Sequence, residues 1–381
     1  MANHLPRNVR AISLPVTTAA ATIAGMQRSL GEAQEARVPE SIGIGIVGAG
    51  IIGQVHANAL KDIDGARIVA VADPREDAGR SLAHSHGAAW YAGYTDLLAN
   101  DDVSLVVLAT PSGLHADQTV LAAQAGKHIV TEKPMAITAD GLDCMIQATE
   151  EAAVELAVIF QNRLSADIIR VKRGIEAGML GTTVFGNASV HWFRNQDYYD
   201  ANGGWRGTWE LDGGGALMNQ SIHTIDLAQW IMGGVASVSA DVATLNHDIE
   251  TEDTATATVR YNSGALGTIQ GSTAAGKDWP VTVEIVGTGG KALIEGGRLV
   301  QWEGDSDLTD DVLTAGDLAF VDGWMPDEPF GASHRRQLRL IIDALRDGET
   351  PPVPAGEARK AVDVILAIYE SAKHGKRITL T

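Results

Sequence analysis

From Ile42 onward the chain alternates short apolar runs with longer segments of helical period. Ile42–Val47, Ala66–Ala72, Leu105–Ala109 and His128–Thr131 read as buried strands. Gln54–Asp62 and Ala116–Ala125 read as helices, the second ending at Gly126, a helix-stop signal. Strands that alternate with helices imply a parallel sheet. Beyond about residue 165 the period changes. Thr183–Trp192, Val235–Leu245, Thr254–Tyr261, Ala265–Gly271, Val281–Val286 and Arg298–Trp302 read as strands, several with period-2 alternation. Short turns at 262–264 and 287–290 join them, so this second sheet is expected to be antiparallel, with one face available for packing. Two helices, about 335–347 and 356–374, close the chain. The expected division is 42–164 and 165–381, with the closing helix packed back on the first domain. Residues 1–41, rich in Ala, Thr and Pro, read as an arm. A signal peptide is the competing reading, but Ser13, Pro15, Thr17, Thr18 and Thr22 interrupt its apolar stretch.

Composition narrows the partners. The 381 residues carry 29 Lys+Arg against 48 Asp+Glu, a net charge of −19. Such a surface repels a phosphate backbone and anionic membranes, so neither nucleic acid nor membrane is an expected partner. No apolar run approaches the ~18 residues that cross a bilayer, and the expectation is a soluble, cytoplasmic protein. One cysteine, Cys144, excludes a disulfide framework and a Cys-rich metal site. His191, His247 and His334 lack metal-ligand spacing, so no metal is expected. The acidic run Glu250–Asp253 reads as a solvated loop.

Glycine changes the picture most. Of 42 glycines, Gly48, Gly50 and Gly53 stand in Gly48-Ala-Gly-Ile-Ile-Gly53, directly after a strand and at the start of a helix. Asp73 follows twenty residues later at the end of the second strand. That context is a dinucleotide site: Gly48 for the turn, Gly50 for backbone approach to the pyrophosphate, Gly53 for helix–strand packing. Ile51 and Ile52 open the helix whose N-terminal amides receive the phosphates. Asp73 suits ribose hydroxyls and repels a 2′-phosphate, whereas Arg75 could pair with one; NAD is preferred and NADP stays open. Thr110-Pro111-Ser-Gly-Leu114-His115 and Glu132-Lys133-Pro134 each follow a strand, where ligands sit in an open α/β sheet.

These motifs, with Gly213-Gly-Gly-Ala-Leu-Met-Asn219-Gln-Ser-Ile-His223-Thr-Ile-Asp226, resemble the glucose–fructose oxidoreductase/inositol dehydrogenase (Gfo/Idh/MocA) family over about residues 42–381. The resemblance implies an α/β Rossmann domain followed by an α+β domain with an open, mostly antiparallel sheet, and assembly as a homodimer or homotetramer. It implies hydride transfer between a nicotinamide cofactor and a secondary hydroxyl of a sugar, cyclitol or sugar derivative. A ketosugar reductase using NADPH and an enzyme coupling two sugars through bound NADP remain alternatives, and a nucleotide-binding sensor is a lesser one.

Carried over residue by residue, Lys133 and His223 match the family's catalytic lysine and histidine, and the Lys133–Pro134 bond is expected to be cis. Inositol dehydrogenases carry aspartate where this chain has Asn219. On a helix Asn219 and His223 would share a face and address one substrate. Trp205-Arg-Gly-Thr-Trp209 and Gln161-Asn-Arg163 resemble the branch that oxidises UDP-N-acetyl-glucosaminuronate. Gln161 is therefore expected near the cofactor and Trp205 near the sugar. Arg163 is expected either on a substrate anion or as a structural tie between domains. Six of the 19 aromatics fall between Trp192 and Trp209, and flat apolar faces suit the C–H surface of a pyranose.

Overall fold

The computed structural model describes residues 41–321, 324–325 and 329–380. The expected arm, Ser41 apart, lies outside them.

The first sheet contains β1 (Ile42–Val47), β2 (Ala66–Ala72), β3 (Ala89–Tyr91), β4 (Leu105–Leu108), β5 (His128–Thr131) and β6 (Leu156–Val158). Its order is β3-β2-β1-β4-β5-β6 with every pair parallel. The order reverses between β1 and β4, which opens a crevice at the carboxyl ends of the strands. Both faces of this sheet are covered, so β1 and β4 are buried along their whole length.

The second sheet contains β7 (Thr183–His191), β8 (Val235–Ala243), β9 (Thr254–Tyr261), β10 (Leu266–Ser272), β11 (Thr282–Gly287), β12 (Gly290–Glu295), β13 (Arg298–Glu303) and β14 (Ile378–Thr379). The order is β13-β12-β11-β7-β10-β9-β8-β14, antiparallel except for the pair β7–β10. In β9 the side chains of Ala255, Ala257, Val259 and Tyr261 are buried, while Thr256, Thr258 and Arg260 point outward. One face is thus core and the other open. The core face packs on the helices Ile222–Ile231 and Ala355–His374.

Ala332–Asp347 lies on the helix Ile51–Leu60, with Leu338, Ile341 and Ile342 in the core beneath the first sheet. Ala355–His374 packs mainly on β8 and the helix Ile222–Ile231, and touches the first domain through Ala139–Ala152. Strands β3 and β12 were not legible in the apolar pattern. The first has three residues, and in β12 only Ala292 and Ile294 are buried.

Candidate active site

The crevice is lined first by the glycine loop. Gly48 has φ +99°, and a Cβ there would stand 2.6 Å from the Ala109 carbonyl oxygen. A Cβ on Gly53 would overlap the Gly48 carbonyl, so the helix packs against its own entry turn only because position 53 has no side chain. A Cβ on Gly50 would meet nothing within 4 Å, which leaves the outer face of the loop free for backbone approach to a ligand. No side chain caps the helix Ile51–Leu60, so its first amides point outward unpaired by a cap. Ile51 is 71% exposed at this tip, with Ile52 half-buried behind it. These features fit a dinucleotide pyrophosphate.

Asp73 ends β2 beneath the loop. One carboxylate oxygen accepts from Ala49 N at 2.7 Å; the other accepts from Arg75 N at 2.8 Å. The Arg75 side chain adds contacts of 2.9 and 3.1 Å. Burial raises the carboxyl's proton affinity, but these hydrogen bonds outweigh it and hold Asp73 below its ordinary value, ionised. The Arg75 side chain is largely exposed, so it can leave Asp73 for a ligand.

Across the crevice, the loop at the end of β4 carries Thr110, Pro111 and Leu114. Leu114 is partly exposed there, and Thr110 Oγ1 donates to Gln118. His115, expected at the cofactor, is instead buried. Its Nδ1 lies 2.8 Å from the Pro134 carbonyl and its Nε2 3.1 Å from the Thr110 carbonyl. The ring ties this loop to the Lys133–Pro134 turn, whose peptide is cis. Glu132 is likewise turned inward. Its carboxylate meets His56 Nε2 at 2.8 Å, and burial notwithstanding, the neighbouring His56, His334 and Lys133 hold it down at about 2. Gln161 sits in the short turn after β6 with its buried Oε1 unpartnered.

Lys133 leaves the end of β5 and reaches the second domain. Its Nζ donates to the backbone carbonyl of Asn219 at 2.9 Å. Burial pushes the ammonium's pKa down and Arg206 adds to this, against Glu132 and Asp212, which raise it. His223 stands in the same cluster. Burial, then the Lys133 charge, pushes it down to about 3, so the free imidazole is neutral; its Nδ1 has no hydrogen-bond partner. The Phe160 ring stands T-shaped to it, with the ring centres 5.7 Å apart.

Asn219 and His223 do not share one regular helix. Residues 216–221 form a π-helical turn that passes into the α-helix at Ile222. The wider turn places the Asn219 side chain toward Asp212 and presents its carbonyl to Lys133. Gly215 and Leu217 amides donate to the buried carboxylate of Glu252, as does the Tyr369 hydroxyl. The run read as a solvated loop is therefore largely interior: Thr251, Glu252 and Asp253 are buried, and only Glu250 is exposed. Period alone missed this because the run's carboxylates serve backbone amides distant in sequence.

Three more residues close the site. Asp212, 1% exposed, accepts from Asn219 Nδ2 at 2.6 Å and Gly207 N at 2.8 Å, and burial raises it to about 6. Tyr198 accepts from Gln220 at 2.7 Å. Arg206 stacks on Tyr198 and on Trp205, its guanidinium carbon 4.8 and 4.7 Å from the ring centres. Asp212 carries no sequence signal of its own, while Tyr198 belongs to the aromatic cluster and Arg206 to the Trp205–Trp209 motif.

Arg163 faces the interior, not the crevice. It makes a two-pronged pair with Asp226, 2.7 and 2.6 Å, beside Glu357, and is 4% exposed. The substrate-anion expectation for Arg163 fails because the guanidinium is already paired and enclosed. Among the described residues no group of three or more His, Cys, Asp or Glu side chains is arranged to hold a metal.

Residues 42–160 match the family model described as an oxidoreductase family with an NAD-binding Rossmann fold, and 168–293 match the GFO/IDH/MocA C-terminal domain. The chain is 28% identical over 347 residues to the myo-inositol 2-dehydrogenase of Thermotoga maritima, covering 88% of this chain and 98% of that protein. The WlbA dehydrogenase of Bordetella pertussis, solved with NADH and UDP-GlcNAcA, is 35% identical with a TM-score of 0.82, over 90% of this chain and 99% of that one. Its Chromobacterium violaceum counterpart, also solved with NADH and UDP-GlcNAcA, is 35% identical with a TM-score of 0.81, over 90% and 96% of the two chains. The chain belongs to the Gfo/Idh/MocA oxidoreductase family.

Proposed function

We propose that this protein is an NAD-dependent dehydrogenase of a secondary hydroxyl on a sugar or sugar derivative, with Lys133 and His223 as its acid–base pair. The observation that carries the reading is the reach of Lys133 from the cofactor crevice to the Asn219 carbonyl, beside a neutral His223. NAD bound over Gly48–Gly53 would supply the hydride acceptor. The chain's own residues do the rest. Lys133 donates a hydrogen bond to the reacting oxygen and stabilises alkoxide character as the carbon–hydrogen bond breaks. His223, unprotonated, accepts the hydroxyl proton. Asn219 holds Lys133 through its carbonyl and orients substrate through the Asp212–Asn219–Tyr198 network.

Asp73, ionised beneath the glycine loop, favours ribose hydroxyls over a 2′-phosphate. UDP-GlcNAcA, bound by the two WlbA relatives, is the first substrate to try. Self-association through the open face of the second sheet, where Phe185 and Leu266 are exposed, completes the reading.

The test is a panel of sugars, cyclitols and nucleotide sugars with NAD and NADP, following reduced nicotinamide. Lys133→Met and His223→Asn should each lower kcat by about 10²- to 10⁴-fold on the substrate found. Near-normal turnover in either would remove that residue from the mechanism.

A further inference from the structure

Glycines 213, 214 and 215 lead into the π-helical turn of residues 216–221. A Cβ on Gly213 would overlap Ile137, one on Gly214 the Tyr369 hydroxyl, and one on Gly215 the Glu252 carbonyl oxygen. The entry to the turn is thus pressed against three separate segments at once, and only residues without a side chain fit there.

Three successive amides of this entry go to one residue. Gly215 N donates to Glu252 Oε2 at 3.1 Å, Leu217 N to its Oε1 at 2.8 Å, and Ala216 N to its backbone carbonyl at 3.0 Å. The Tyr369 hydroxyl donates to Oε1 at 3.0 Å and interacts in turn with the Met218 amide. Trp209 stands T-shaped against the Tyr369 ring, the centres 5.3 Å apart. These are the amides that the start of a helix leaves unsatisfied, and a carboxylate is the group they favour. A π-helical turn is rare, and inside α-helices it often marks a functional place. Here it is held from outside, and its Asn219 carbonyl accepts from Lys133 Nζ at 2.9 Å.

We propose that Glu252, braced by Tyr369, is a positioning residue for the reaction: it fixes the π-helical turn so that the Asn219 carbonyl meets Lys133. This rests on the dehydrogenase reading and deepens it, because Lys133 stabilises alkoxide character only from a held position. Glu252 itself moves no proton. It acts through the turn.

Two substitutions separate the hold from the charge. Glu252→Gln keeps the length and removes the charge, and in either orientation of its amide the Gly215 or the Leu217 N–H faces an N–H. Glu252→Asp keeps the charge on a side chain one methylene shorter, which draws the carboxylate back from both amides. Burial pushes Glu252 up to about 7, so the comparison with wild type is made at pH 8 and above, where its carboxylate is ionised. Each variant should lower kcat by about 10- to 100-fold, with the KM for NAD within a few-fold. In each, the Lys133 ammonium loses an acceptor, so its titration should move to lower pH. Trace acetylation of the substrate-free protein across pH, read at Lys133 by mass spectrometry, measures this without turnover. A Glu252→Asp protein that matches wild type beside an impaired Glu252→Gln would make the effect one of charge and overturn the proposal. An unmoved Lys133 titration in either folded variant would do the same. If neither variant folds, Tyr369→Phe decides. It removes one hydroxyl, and should lower kcat by about 3- to 10-fold and move the Lys133 titration the same way. Wild-type values for both would overturn the proposal. A shifted Lys133 titration, with no turnover of any sugar by the wild-type enzyme, would keep the hold and sink the dehydrogenase reading. Sugar turnover indifferent to Glu252 would do the reverse.

Discussion

Asn219 donates its side-chain amide to Asp212 at 2.6 Å. A carboxylate thus stands behind Asn219, supplied from seven residues earlier in the chain and one hydrogen bond further back. Asp212 is raised to about 6 by burial, so it is mostly ionised at neutral pH and supports the Lys133 ammonium.

Asp212→Asn removes that support. With the negative charge gone, Lys133 should lose its proton at lower pH, and the alkaline limb of kcat should move down the pH scale. We expect kcat to fall by about 10-fold or more, with the KM for NAD unchanged. Because Asp212 protonates near 6, the wild-type enzyme should approach the variant's behaviour below that pH. An unmoved alkaline limb would mean that Asp212 only holds Asn219 in place.

Acid stability should report on His223 and His334. Burial lowers both in the folded chain, to about 3 and about 4, below the ordinary 6.5. A depressed folded value means that this contribution to stability is complete above pH 6.5 and is lost as pH falls toward the folded values. Melting temperature should therefore decline between pH 6.5 and 4, and His223→Asn should flatten the decline. Parallel curves for the two proteins would contradict the assignment.

Cofactor choice turns on Asp73. Asp73→Ser removes the carboxylate that repels a 2′-phosphate and frees Arg75 to bind one. The ratio of kcat/KM for NAD to that for NADP should drop by about 10- to 100-fold, the range of one or two charged hydrogen bonds. Unchanged preference would place the discrimination elsewhere.

Arg163 belongs to stability. Arg163→Met leaves Asp226 buried without its partner, which costs about 3–5 kcal/mol in comparable buried pairs. The urea midpoint should fall accordingly, and Asp226→Asn in the same chain should recover part of it. Substrate KM should stay within a few-fold. A KM rise of 10-fold or more at intact stability would return Arg163 to the substrate.

The sequence by itself determined β1, β2, β4 and β5 of the first sheet, the glycine loop and the strand ends that carry Asp73 and Lys133. In these elements function depends on neighbours in the chain: apolar runs of four to seven residues, a glycine at φ +99°, and a lysine one residue past an acidic strand end. The alternation of β9 and the closing helices were legible for the same reason. What surrounds Lys133 was decided by tertiary structure. Tyr198 comes from the helix Gln196–Gly204 and Arg206 and Asp212 from the loop after it, and the local pattern does not show that they meet. Glu252 is interior because amides at Gly215 and Leu217 fold over it. Arg163 and Arg206 each stand in a short motif, Gln161-Asn-Arg163 and Trp205-Arg-Gly-Thr-Trp209, and neither motif tells which arginine is buried. Only packing gave one of them a buried aspartate and set the other over Tyr198 and Trp205, near Lys133 and Asp212.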